Sequence, residues 1–182
     1  MAYEAMTSSA MIAKEKGSFP KFDKEALFNS PFYKEHRDKT LDTLIDNFGM
    51  RNSQILTVAP TGSLSTMLGV SGGIEPIFDT HYTRKTESLH GHEEYYIVYT
   101  PIVKEYMVAN GVTDVDQLPG YFTTAKKIKG KDRIAMQAVW QKHIDASISS
   151  TVNIPESATV EDVEDLYISA WKAGLKGLTI FR

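Results

Sequence analysis

Apolar residues recur at the three- and four-residue spacing of an α-helix along most of the chain. The first predicted helix covers residues 2–16 and ends before Gly17. The apolar face of this helix carries Tyr3, Met6, Ala10 and Ala13. A second helix is predicted between a Thr40 cap and Gly49. Its inward residues are Leu41, Leu44, Ile45 and Phe48.

Three further helices are predicted in the second half of the chain. With their caps included, they cover 100–111, 132–147 and 159–174. Thr159 and Asp162 resemble a capping box in which aspartate replaces the usual glutamate. The residues expected to point inward are Ile102, Val103, Tyr106, Met107, Ile134, Ala138, Ile144, Val160, Val163, Tyr167 and Ala170.

Short apolar runs between these helices predict β-strands at 54–59, 94–100 and 178–181. Helices that alternate with short apolar strands are typical of an α/β architecture, so we expect one α/β domain over residues 1–182. The sequence stops inside the last predicted strand, which suggests that it is a fragment of a larger protein.

Composition excludes several classes of protein. Of the 182 residues, 42% are hydrophobic and 24% charged, which is enough apolar material for a folded core. The net charge of −3 argues against broad binding of nucleic acid or an anionic membrane. No apolar run is long enough for a membrane helix, and the N-terminus lacks a secretory pattern. We therefore expect a cytoplasmic protein, in the host cytoplasm if the source is viral.

The turn after the first predicted strand, 59–63, carries the clearest candidate chemistry. Its sequence APTGS combines a glycine with two hydroxyl side chains. If a helix begins near Leu64, backbone N–H groups would converge there and favour a phosphate. The turn lacks the lysine and spacing of a Walker A loop, so a plain turn leaving a strand is the alternative interpretation.

Four segments of the chain closely resemble the large subunit of class II, adenosylcobalamin-dependent ribonucleotide reductases. They contain the sequences RNSQ and APTGS, GVSGGIEPIF, HIDASISSTVNIP, and LY followed by AWKAGLKGLT. The segments keep the order and rough spacing of that family across the chain. The resemblance implies the C-terminal part of a ten-stranded α/β barrel in an enzyme that makes deoxyribonucleotides from ribonucleoside diphosphates.

The resemblance also implies roles for individual residues. The substrate phosphates would be held by Ala59, Pro60, Thr61, Gly62 and Ser63. Further residues that could line the site are Glu75, Ser147, Ser149 and Asn153. Glu75 could equally be a buried structural carboxylate, and the serines of 145–153 could simply end a helix. The glycines at 69, 72 and 73 suggest close backbone packing beside the site.

The chain contains no cysteine, whereas the family reduces ribose with a cysteine thiyl radical and a further cysteine pair. We therefore assign no catalytic residue here. The resemblance implies that a cysteine-containing reductase polypeptide, adenosylcobalamin and a thiol reductant complete the enzyme. Three arrangements stay open: a split reductase, a portion of a longer enzyme, or a noncatalytic nucleotide-binding module. Half of a barrel would expose strand edges and apolar faces, so we expect a partner or an oligomer.

Two polar clusters favour ordinary interpretations. His90, His92 and the glutamates after them could bind a metal, but Gly91 and the lack of further ligands favour a solvated loop. The lysine-rich run 126–131 could contact polyphosphate, although a solvated loop fits better with the negative net charge. We assign no metal ligand.

Overall fold

A computed structural model describes residues 1–87 and 93–182 of the chain. Its helices are α1 (Ala2–Lys16), α2 (Lys24–Asn29), α3 (Pro31–His36), α4 (Lys39–Phe48), α5 (Gly62–Leu68), α6 (Pro101–Asn110), α7 (Gly130–Gln141) and α8 (Val160–Lys172). Its strands are β1 (His81–Glu87), β2 (Glu93–Tyr99), β3 (Thr151–Asn153) and β4 (Thr179–Phe181). No helix of the described residues is long and apolar enough to cross a membrane.

The first four helices pack around a core of their own. The buried residues of this core are Met6, Ala10, Tyr33, Leu41, Ile45 and Met50. The predicted helix at 2–16 is confirmed by α1. The predicted Thr40 cap is wrong, because the Asp38 carboxylate accepts the backbone N–H of Leu41 at 2.8 Å and the helix begins at Lys39.

The first predicted strand is extended but forms only an isolated parallel bridge, between Val58 and Ile148. The Asp145 side chain provides some of the hydrogen bonds that a neighbouring strand would otherwise provide. The Asp145 carboxylate accepts the backbone N–H groups of Ile55 at 2.8 Å and Leu56 at 2.6 Å. The segment therefore lies beside residues 145–149 without a continuous ladder, so the prediction of a full strand is wrong.

Strands β3 and β4 are parallel, with Thr151 opposite Thr179, and α8 connects them. Helices α7 and α8 cover this pair and share a core made of Ile134, Val152, Leu166 and Ala170. Parallel strands joined through helices match the expected α/β class. The described residues do not close into a barrel. The arrangement is consistent with part of one.

The second predicted strand is confirmed as β2, which pairs antiparallel with β1 from His81–Tyr99 to Glu87–Glu93. Strand β1 was not predicted, because its polar sequence HYTRKTE lacks apolar alternation. The two strands form a separate two-stranded sheet.

Several details of the later helices differ from prediction. Helix α7 begins after Lys129, not Asp132, and ends at Gln141, short of residue 147. The Gln141 amide donates to the carbonyls of Ile144 at 2.8 Å and Ala146 at 3.0 Å, which holds the chain in a turn after the helix. The capping box of α8 is confirmed. The residues predicted to point inward but found exposed are Ile102, Val160 and Tyr167, at 51%, 79% and 47%.

Candidate phosphate-binding turn

The turn at 59–63 connects the extended segment to α5, and all five of its residues are exposed. Thr61 is the N-cap of α5 and has a left-handed backbone, with φ 49° and ψ 26°. Such a conformation costs a residue with a Cβ on the order of 1 kcal/mol. The helix on which the phosphate interpretation depends begins at Gly62, and its first hydrogen bond runs from Ser65 N–H to the Thr61 carbonyl at 2.8 Å.

Helix geometry therefore leaves the N–H groups of Gly62, Ser63 and Leu64 without acceptors inside α5. These three donors follow one another at the exposed end of the turn. The Ser63 hydroxyl lies on the same exposed segment, so the turn can offer both backbone and side-chain donors to an anion.

A glycine-rich loop that contains Gly72 and Gly73 packs against the turn and braces it. Gly73 N–H donates to the Thr61 hydroxyl at 3.2 Å. A Cβ on Gly72 would lie 2.8 Å from the Pro60 carbonyl, and a Cβ on Gly73 would lie 3.1 Å from the Ala59 carbonyl. A Cβ at position 72 would force a shift of the backbone, and one at position 73 would be tightly packed on a left-handed backbone, so the close packing expected at both positions is confirmed.

Gly69 does not pack on the turn in the same way. Its backbone has φ +69°, and a Cβ there would lie 3.0 Å from the Pro101 ring at the start of α6. This glycine therefore closes α5 and permits the approach of α6.

The serines of the second candidate segment lie beside the strand that leads into the turn. Ser149 N–H donates to the Val58 carbonyl at 2.8 Å. The Ser147 carbonyl accepts the Thr57 hydroxyl at 2.9 Å, and the Ser147 residue is exposed. Both serines thus support the approach to the turn through their backbones.

Asn153 borders a cleft of about 350 Å³ at the carboxyl ends of β3 and β4. The cleft is lined by Phe78, Lys126, Asn153, Ile154, Pro155, Phe181 and Arg182. The carboxyl ends of parallel strands are the usual ligand-binding edge of an α/β sheet. The structure does not place Asn153 among the residues that brace the turn.

Glu75 forms a structural contact. Its Oε1 accepts the backbone N–H of Thr151 in β3 at 2.7 Å, and the residue is half-buried. The loop that braces the turn is therefore tied directly to the central parallel strands.

Arg133 of α7 was not predicted as a site residue, and it is only 5% exposed. Its Nη1 donates to the Ile74 carbonyl at 3.1 Å, and its Nη2 donates to the Thr151 carbonyl at 3.2 Å and to the Ser150 hydroxyl at 3.4 Å. Burial lowers the pKa of Arg133, and the nearby Glu75 charge partly opposes that shift. No sequence pattern distinguishes this arginine from an exposed one.

Two described residues of the polar clusters noted in the sequence, Glu93 and Lys126, form ion pairs. His90 and His92 lie outside the described residues, while Glu93 forms an ion pair with Lys85 across the hairpin. Lys126 pairs with Asp79 at 2.6 Å and lowers the pKa of that carboxyl. Within 1–87 and 93–182, no three His, Cys, Asp or Glu side chains are grouped to hold a metal ion.

Comparison with known proteins decides the family. The model of the ribonucleotide reductase barrel domain matches residues 1–181. The chain belongs to the ribonucleotide reductase family. The resemblance drawn from the four sequence segments is therefore confirmed, and the exposed turn lies in a reductase barrel sequence.

Several curated reductases are similar to this reductase chain over almost all of its length. A vitamin B12-dependent ribonucleoside-diphosphate reductase of Mycobacterium tuberculosis is 33% identical over 98% of the chain and 25% of its own length. Another, of Thermoplasma acidophilum, is 29% identical over 98% of the chain and 23% of its own length. The ribonucleoside-diphosphate reductase subunit alpha of Helicobacter pylori is 30% identical over 100% of the chain and 24% of its own length. The chain thus spans about a quarter of the length of these relatives.

Proposed function

We propose that this chain is part of the ten-stranded α/β barrel of a cytoplasmic ribonucleoside-diphosphate reductase, and that residues 59–63 bind the substrate phosphates. The observation that carries the proposal is the exposed turn of donors, braced by Gly72 and Gly73, within a chain of this family. The relatives named for diphosphate substrates support that choice of nucleotide.

The chemistry of the turn suits a phosphate that must be positioned without being held too tightly. Neutral N–H and hydroxyl donors bind phosphate oxygens at fixed points, and the turn itself holds no lysine or arginine. The role of the chain is then to fix the ribose relative to groups supplied from elsewhere, since orientation lowers the barrier to reaction.

We infer that adenosylcobalamin serves the assembled enzyme, because relatives at 33% and 29% identity are named as vitamin B12-dependent. The cofactor supplies the radical that starts ribose reduction when it is bound. No residue of this chain is assigned a contact with cobalamin.

The 182 residues contain no cysteine, so the thiyl radical and the reducing cysteine pair must come from outside them. We propose that a further reductase polypeptide segment, on the same chain or a separate one, supplies these thiols. A thiol reductant would then regenerate the enzyme after each turnover. The same lack of cysteine favours the second candidate function, a noncatalytic nucleotide-binding or assembly module derived from a reductase.

The first test is a native pull-down of the tagged chain, with mass spectrometry of the proteins that accompany it. We expect a stoichiometric partner with the missing cysteines, and deoxyribonucleotide formation when both are mixed with adenosylcobalamin and a thiol. A native product that extends beyond these residues and carries the cysteines itself would establish a portion of a longer enzyme. A native product limited to these residues and isolated alone would favour the noncatalytic module.

The second test addresses the turn directly by calorimetric titration with cytidine diphosphate. Ser63→Pro removes the hydroxyl and one backbone donor in the first turn of α5, where the N–H has no acceptor within the helix. We expect it to weaken binding roughly tenfold, and Ser63→Ala to weaken it less, because one net hydrogen bond contributes on the order of 1 kcal/mol. Ser157→Ala, at an exposed position outside the turn, is the matched control. Equal binding by all four proteins would contradict the assignment.

A further inference from the structure

Arg133 joins two segments that are far apart in sequence. Its guanidinium contacts the carbonyl of Ile74, 59 residues away, and the carbonyl of Thr151, 18 residues away. Glu75 adds to the same connection by accepting the backbone N–H of Thr151. The loop at 74–75 is thus fixed to β3 by both a buried cation and a carboxylate.

The loop that is fixed in this way is the one that braces the phosphate-binding turn. Gly73, which donates to the Thr61 hydroxyl, directly precedes Ile74. Gly72 lies so close to Pro60 that no Cβ would fit. Movement of Ile74 away from β3 would therefore pull on the contacts that hold Thr61 in its left-handed conformation.

We propose that Arg133 and Glu75 form a clamp that positions the 72–73 loop against the turn, which makes Arg133 a positioning residue for phosphate binding. The inference rests on the proposed function in one respect only, since it takes the turn at 59–63 to be the phosphate site. The clamp itself follows from contacts within the chain.

The chemistry of arginine suits this role. The planar guanidinium presents several donors in a fixed fork, so Nη1 and Nη2 can serve carbonyls on two different segments. A lysine ammonium is a compact charge on a flexible stem and lacks that fork. Loss of the guanidinium would leave the half-buried carbonyls of Ile74 and Thr151 without their partner.

Helix α7 supplies a matched control one turn later. Gln137 is also buried, and its amide donates to the Gly177 carbonyl at 2.8 Å. That bond fixes α7 to the segment before β4 and does not contact the 72–75 loop. Arg133→Met and Gln137→Met therefore each remove one buried polar side chain from the same helix, but only the first should affect the turn.

Amide hydrogen exchange of the full chain, measured by mass spectrometry, tests the clamp without any ligand. We expect Arg133→Met to raise exchange about tenfold or more at 59–65 and 69–75, and to leave α1 and α4 unchanged, because the lost contacts cost on the order of 1–3 kcal/mol. Gln137→Met should raise exchange near 177–179 instead. Arg133→Lys, which keeps the charge but not the fork, should give a smaller rise confined to the same two segments.

Titration with cytidine diphosphate separates the clamp from the proposed function. We expect Arg133→Met to weaken binding about tenfold by the same free-energy argument and Gln137→Met to leave it unchanged. If exchange rises at the turn but the unmodified chain binds no diphosphate, the clamp stands and the assignment of the turn as an independent phosphate site fails. The clamp is overturned if exchange at 59–65 is unchanged in Arg133→Met. It is also overturned if Arg133→Met and Arg133→Lys both raise exchange uniformly over the chain.

Discussion

The Asp42 carboxylate makes the stability of this fold depend on pH. Its Oδ1 accepts the Tyr33 hydroxyl at 2.8 Å, and its Oδ2 accepts Arg37 Nε at 3.1 Å. The hydrogen bond from Arg37 is the main cause that lowers the pKa of Asp42 below its ordinary 3.8. Burial and the same carboxylate raise the pKa of Tyr33, which keeps that phenol neutral in the core.

Because the pKa of Asp42 is lowered in the folded state, the contribution of Asp42 to the free energy of unfolding depends on pH. The unfolded chain takes up the proton first as the pH falls, so the stabilisation is complete above the ordinary pKa and is lost below about pH 4. We expect Asp42→Asn to lower the free energy of unfolding at neutral pH, with a difference from the unmodified chain that shrinks below about pH 4. Urea unfolding at a series of pH values measures this difference.

The exposed Asp165 on α8 provides a control for that experiment. Asp165→Asn should change the free energy of unfolding little at any of these pH values, because surface substitutions away from packed contacts have small effects. An Asp42→Asn difference that stays constant from neutral to acidic pH would show that the carboxylate acts through packing alone.

Gly72 makes the structure of the turn sensitive to one methyl group. Because a Cβ at this position would lie 2.8 Å from the Pro60 carbonyl, the backbone must shift to accommodate it. We expect Gly72→Ala to lower the free energy of unfolding by roughly 1–3 kcal/mol, as overpacking does elsewhere. Gly120→Ala is the matched control, since a Cβ there meets nothing within 4 Å. Equal denaturation midpoints for the two variants would show that the loop yields freely.

Among the helices, α8 begins at a capping box that can be recognised in the sequence. Thr159 accepts Asp162 N–H at 3.2 Å with its hydroxyl, and the Asp162 carboxylate accepts Thr159 N–H at 2.9 Å. We expect Thr159→Ala to lower the free energy of unfolding by about 1 kcal/mol, because the first turn loses its cap. Ser30→Ala should have a smaller effect, since Ser30 caps α3 without a side-chain hydrogen bond. Urea unfolding of both variants checks this order, and a larger loss from Ser30→Ala would contradict it.

Local signals of this kind explain which elements could be predicted. Helix α1 and the cap of α8 follow from spacing and cap residues within one turn of the helix. The segment before Pro60 looked like a strand for the same local reason. Two of its backbone N–H groups, however, donate to the Asp145 carboxylate, about 90 residues away. No local sequence pattern indicates that partner.

The candidate site divides in the same way. The turn at 59–63 and the glycines at 72 and 73 could be proposed from residue type and family resemblance, whereas the left-handed backbone of Thr61 could not. Arg133 could not be found, because an arginine in a helix is ordinarily exposed. Its role arises only when the fold brings Ile74 and Thr151 to the same side chain.

At the scale of the whole molecule, the β1–β2 hairpin leaves large apolar side chains uncovered. Alternation along the strands places Tyr95 and Ile97 on one face, where they are 62% and 59% exposed. Tyr82 and Tyr96 lie on the other face and are also exposed. An isolated two-stranded hairpin is marginally stable in water, so these faces are suited to burial against another surface.

We therefore expect the isolated chain to associate in a concentration-dependent manner, as measured by sedimentation velocity. Tyr95→Glu combined with Ile97→Thr should weaken the association, because the exposed face becomes polar while the new glutamate lies opposite Lys85 and the threonine opposite Thr83. Val108→Gln, at an exposed position on α6, should leave it unchanged. A single sharp monomer boundary for the unmodified chain at high concentration would rule out this self-association. Association that survives the hairpin substitutions would instead place the contact on another exposed surface.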